Sequence, residues 1–156
     1  MLGFLFLVAA TADAVPPGEK PVAPYVHSDA NAGAAPYADP GLWHAFHEQA
    51  GVDRIVDDMI DRTLTDPSLK QIQDGQDMVR LRRLLKEQFC YLLGGGCAYS
   101  GRTMKESHKD LGIQMKDMNL LVEKLQLAMT KEGVPFFAQN RLLAKLAPMK
   151  PDIVTH

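Results

Sequence analysis

The chain has 156 residues, 46% of them hydrophobic and 23% charged, with a formal net charge of -2. That length supports one domain with a proper core and leaves too little for a second. No basic excess is available to neutralise phosphates, so nucleic acid is not an expected partner; no apolar run approaches the roughly 20 residues that cross a bilayer, so no stable membrane insertion of the folded domain is expected.

The chain begins with an apolar run, MLGFLFLVAA, followed by Thr11-Ala12-Asp13-Ala14, where Ala12 and Ala14 are the small residues that a signal peptidase site needs. Residues 1–14 are therefore read as a removable leader, which places the protein in the periplasm or outside the cell. No Lys or Arg precedes the run, and the alternative is a loosely attached apolar end on a cytoplasmic protein. Residues 15–40 (VPPGEKPVAPYVHSDANAGAAPYADP) are rich in Pro, Ala and Gly and carry no apolar period, so they read as a disordered, mobile linker to a domain over 41–156.

After Pro40 the pattern turns helical. Val52, Ile55, Val56, Met59, Ile60, Thr63 and Leu64 recur at three- and four-residue intervals and make one apolar stripe, broken by Asp66-Pro67. A longer helix is expected from Met78 to Leu93, with Leu81, Leu84, Leu85, Gln88, Phe89 and Leu92 on one face, ended by Gly94-Gly95-Gly96. A loop follows over 97–101, then a helix of about two turns containing Met104 and His108, with Gly112 as its C-cap. Met118, Leu121, Val122, Leu125 and Met129 mark another helix ending at Gly133, and Pro135 suits the first turn of a last one reaching Leu146. Strand-like alternation is absent, so the expected class is all-α.

Cys90 and Cys97 fit either an exported disulfide or two unrelated thiols, and without a CxxCH motif covalent c-type haem attachment is not indicated. Imidazole binds iron through a neutral nitrogen, so His108 facing a leucine-rich helix permits a haem site, though a lone histidine is more often a surface or satisfied core residue. His44 and His47 are spaced to share a helix face, but no third metal ligand accompanies them, and solvent exposure is the simpler reading.

The ordered string of Leu93-Gly94-Gly95-Gly96, Tyr99-Ser100-Gly101, Met104-Lys105-Glu106-Ser107-His108 and Leu111-Gly112-Ile113 resembles the group I truncated haemoglobins. That family shows a leucine-glycine-glycine helix end, a Tyr-Thr-Gly loop, a Met four residues before the proximal His, and a Gly-Ile exit. The similarity extends to Arg62-x-Leu64-x-Asp66, Met78-x-Arg80-Leu81, Gly133-Val134-Pro135, Ala147-Pro148 and Asp152-Ile153-Val154. The resemblance implies a two-over-two helical globin sandwich, haem b (iron protoporphyrin IX) as cofactor, and His108 as the iron ligand. Its implied cargo is a diatomic gas such as oxygen, nitric oxide or carbon monoxide, with a separate reductase as partner. Ile60, Leu81, Leu85, Phe89, Met104, Met118 and Leu121 are then candidates to line haem, or simply core. Arg82 and Arg102 are candidates for its propionates, or solvated surface arginines.

Against the family pattern, Ile60 stands where a ligand-binding Tyr is usual, and Leu81, Leu84 and Leu85 stand where Gln or His often occurs. Loss of those donors predicts weak or short-lived oxygen binding, since bound oxygen is held by hydrogen-bond donors. The usual haem-packing Phe falls at Gln73, which either swings into the pocket as a donor or, as the preferred reading, is exposed while Ile72 packs. An early Gly-Gly is replaced by His47-Glu48. Besides a gas carrier or sensor, the alternatives are a haem-free globin-like binding module and a haem enzyme such as a nitric oxide dioxygenase or peroxidase.

Overall fold

A computed structural model describes residues 14–155, and within them the only regular elements are helical. All but the last residue of the expected leader lies outside this span. The helices are α1 (Pro40–Ala45), α2 (Glu48–Thr65), α3 (Pro67–Gln73), α4 (Met78–Leu92), α5 (Met104–Ser107), α6 (Met115–Lys131), α7 (Phe136–Leu146) and α8 (Lys150–Ile153). Short 3-10 turns occupy Asp29–Ala32 and Ala147–Met149.

The expected stripe of α2 is its buried face: Val52, Ile55, Val56, Met59, Ile60 and Thr63 are each at most 2% exposed. That face packs on both α4 and α6, so α2 is the central element of the core. Asp66-Pro67 ends α2 as expected, yet it also starts α3. The Asp66 carboxylate accepts hydrogen bonds from the amides of Ser68 (3.0 Å) and Leu69 (3.4 Å), and Pro67 takes the first helical position. The segment carrying His108 is shorter than expected: α5 ends at Ser107 and His108 itself caps it.

His47 and Glu48 account for the missing early Gly-Gly. Both adopt left-handed backbone, with φ of 58° and 57°, the conformation that glycine takes at no steric cost. This break separates α1 from α2, so His44 and His47 do not share a continuous helix. His44 Nδ1 lies 2.7 Å from Glu48 Oε1, and His47 Nδ1 lies 2.9 Å from Glu132 Oε1. No group of three potential metal ligands occurs among the described residues.

The segment expected to be a mobile linker is instead strapped along the helices. It has no apolar period because it is held by separate polar pins rather than by a buried stripe. The Tyr37 amide donates to the Leu92 carbonyl (2.9 Å) and the Tyr37 hydroxyl to the Arg141 carbonyl (2.9 Å). The Asp29 carboxylate accepts from the Tyr99 amide (2.8 Å), and Ala32 is fully buried. Cys90 and Cys97 form a disulfide with a Cα–Cα distance of 5.7 Å, tying the end of α4 to the loop after it. No helix of the described residues is long and apolar enough to cross a membrane.

Candidate functional site

The core is hollowed by a cavity of about 410 Å³, within the size range of cofactor pockets. One wall is built by α2, α3 and α4 through Met59, Ile60, Thr63, Leu69, Ile72, Gln73, Leu81, Leu84, Leu85, Gln88 and Phe89. Another comes from the α5 region and α6 through Met104, His108, Leu111, Met118, Leu121 and Leu125. Nine of the ten residues singled out from the sequence line this one space: His108, Ile60, Leu81, Leu85, Phe89, Met104, Arg102, Met118 and Leu121.

Arg82 is the exception. Its guanidinium reaches 3.1 Å to the Asp57 carboxylate and 2.6 Å to that of Asp61, both on α2, and it lies in a separate surface groove. Helical phase explains the error: Leu81, Leu84, Leu85 and Gln88 face the cavity, and Arg82 sits about 100° round from Leu81. Arg80, not singled out from the sequence, lines the cavity in its place. It and Arg102 both approach the Tyr25 ring of the strap, at 5.7 and 4.8 Å from its centroid. Arg102 also donates to the Ala23 carbonyl (2.7 Å), and Val22 of the strap lines the cavity.

Among the described residues His108 is the only histidine lining the cavity. Its Nδ1 lies 2.8 Å from the Met104 carbonyl, one turn earlier, and 3.1 Å from Ser107 Oγ. A carbonyl can only accept, so Nδ1 carries the proton and Nε2 is left as a neutral lone-pair donor, the tautomer a metal requires. Burial holds the imidazole pKa below its ordinary value, opposed by the Met104 hydrogen bond. The Met104 carbonyl thus fixes the tautomer and orientation of His108, and the spacing of the two residues follows from one turn of helix.

Gln73 overturns the preferred sequence reading. It is half-buried rather than exposed and lines the cavity together with Ile72. Its Nε2 donates to Thr63 Oγ1 (2.6 Å), while its Oε1 is buried with no partner. Two further polar groups line the same space. Gln88 donates to the Ala32 carbonyl of the strap (2.9 Å), and the Tyr99 hydroxyl, whose pKa burial pushes up to about 12, donates to the Arg102 carbonyl (3.1 Å).

An all-helical sandwich around an apolar cavity, with one histidine in the ligating tautomer, defines a globin of the two-over-two type. The bacterial-like globin family model matches residues 42–155. Similar proteins include the group 1 truncated haemoglobin GlbN of Mycolicibacterium paratuberculosis, 35% identical over 101 residues, covering 65% of this chain and 74% of that protein. The GlbN of Synechocystis is 33% identical over 119 residues, covering 72% of this chain and 96% of its own. Among solved structures, the truncated haemoglobin of Tetrahymena pyriformis in its Fe(III) form superposes with a TM-score of 0.70 at 20% identity, covering 74% of this chain and 98% of that one. The 2/2 haemoglobin of Synechococcus with covalently attached haem gives 0.68 at 21%.

The chain belongs to the bacterial-like globins, as a group I truncated haemoglobin. Membership implies a haem-binding globin, and the donor set fits that group: a neutral imidazole, an apolar enclosure and two arginines at the same cavity.

Proposed function

We propose that the protein binds haem b in this cavity and reversibly binds a diatomic gas there, as a carrier or sensor with an unusually apolar distal side. The observation that carries the reading is the His108–Met104 hydrogen bond, which leaves a neutral Nε2 in an apolar cavity. Haem, when bound, would supply the ferrous iron that takes up the gas. His108 would hold that iron, with Met104 orienting His108, and Arg80 and Arg102 would match the carboxylate fork of the propionates. Ile60, Leu81 and Leu85 exclude water.

Thr63, Gln88 and Tyr99 have their side-chain donors engaged with backbone carbonyls, and the Gln73 amide nitrogen is engaged with Thr63. These engaged donors leave oxygen little hydrogen-bond support beyond the second N–H of Gln73, whereas carbon monoxide and nitric oxide need none. The reduced, haem-loaded protein should form a stable carbon monoxide complex and release oxygen faster than relatives with polar pockets. Oxygen release as slow as theirs, measured by stopped flow, contradicts the apolar-pocket reading.

We further propose that the protein is exported through the 1–14 leader. The Cys90–Cys97 disulfide supports this, because such bonds persist in oxidising compartments. Fractionation of the expressing cells with intact-mass measurement tests it: export predicts an extracytoplasmic protein cut after Ala14, and an uncut cytoplasmic chain contradicts it.

A further inference from the structure

The strap spans the cavity between α4 and the loop before α5, and it is fastened on both sides. On the α4 side, the Lys20 amide donates to the Asp77 carboxylate (2.7 Å), and Arg80 donates to the Tyr25 hydroxyl oxygen (2.8 Å). On the loop side, Arg102 donates to the Ala23 carbonyl (2.7 Å), and the Asn31 side-chain amide donates to the Gly101 carbonyl (3.1 Å). Asp77, Arg80 and Arg102 line the cavity, and so does Val22, which lies among these fastenings. All of these strap residues precede the stretch 42–155 that matches the globin family, so the wall they add lies outside that match.

Tyr25 is where the two arginines meet. A carbonyl can only accept, so the Tyr25 hydroxyl donates to that of Ser100 (2.5 Å), and its oxygen is left to accept from Arg80. Both guanidinium groups lie within cation–π range of its ring, Arg80 at 5.7 Å and Arg102 at 4.8 Å from the centroid. A guanidinium has five N–H donors, and the strap engages only a minority of them on either arginine, so each keeps donors for a carboxylate. Resting on the haem reading above, we propose that Tyr25 is a positioning residue for haem, holding Arg80 and Arg102 together as the receptor for the two propionates. Two long side chains ordered in advance bear less entropy cost when they pair with the cofactor.

The test follows the loss of haem from the full, haem-loaded protein to an apomyoglobin scavenger, beside the same measurement with haem dimethyl ester, whose propionates carry no charge. Tyr25→Ala should accelerate haem loss about tenfold, the low end of the value of a charged hydrogen bond. Tyr25→Phe keeps the ring on which the arginines stack and should accelerate it by a smaller factor. With the ester, both variants should release it at close to the wild-type rate. Tyr25→Phe carries the test if Tyr25→Ala loses its helical circular dichroism. Equal acceleration for haem and ester would mean that Tyr25 acts through the fold alone, and unchanged haem loss that it does not act on the site. Slower haem loss would mean that the strap competes with the propionates for the arginines. Each of these overturns the proposal, and with a normal wild-type Soret band it overturns this proposal alone. If the wild-type protein forms no Soret band, the haem reading itself falls and this proposal with it.

Discussion

Arg83 on α4 clasps Glu19 of the strap with two guanidinium nitrogens, Nε to one carboxylate oxygen and Nη2 to the other at 3.0 Å. The Glu19 side chain is 1% exposed and Arg80 also approaches it. The Arg83 hydrogen bond holds the Glu19 carboxyl below the ordinary glutamate value. A depressed folded pKa stabilises the folded state above the unfolded value of about 4.3, and that contribution is lost as pH falls below it. Glu19→Gln should therefore lower stability at pH 7 by about 2 kcal/mol, the scale of a charged hydrogen bond. The difference from wild type should shrink as pH falls from about 5 to 3 in thermal melts. A difference constant across that range would show that Glu19 is not ionised in the fold.

The left-handed pair at His47-Glu48 carries strain that a glycine would not. Glu48 is the better site to relieve it, since its one ion pair, to His44, is mostly solvent-exposed and contributes little. Glu48→Gly should raise stability by about 0.5–1 kcal/mol, measured by urea unfolding. A loss of that size instead would mean that the His44 contact outweighs the backbone strain.

Arg80 and Arg82 of α4, with Arg102 of the loop before α5, give a contrast. Arg80→Ala and Arg102→Ala should each accelerate haem loss to an apomyoglobin scavenger, by roughly ten- to a hundredfold for one lost charged hydrogen bond. Arg82→Ala, which removes only contacts to Asp57 and Asp61, should leave that rate unchanged. Equal effects from all three would mean that the arginines act through the fold rather than through the propionates.

The long helices were legible because α2, α4 and α6 each bury a face at helical spacing, and His108 because the motifs around it occur in a fixed order. The parts that were not legible leave no periodic trace. The seven residues of α3 bury only Leu69, so no stripe forms. The strap is fixed largely by hydrogen bonds such as Tyr37 to Leu92, which any sequence with a backbone can make. Arg80 and Arg82 differ by two positions in a helix whose phase decides which one meets the cavity. Gln73 was misplaced because a glutamine at a short helix's end is normally solvated; only the packing of α3 on α2 shows that Thr63 draws it inward.

The most direct test of the central claim is a haemin titration of the purified protein beside His108→Ala, followed by reduction and exposure to carbon monoxide. The account predicts a saturable one-to-one Soret band in the wild type that shifts with carbon monoxide, and no stoichiometric band in the variant while its helical circular dichroism is retained. Identical spectra for the two proteins, or no specific band in the wild type, would contradict it.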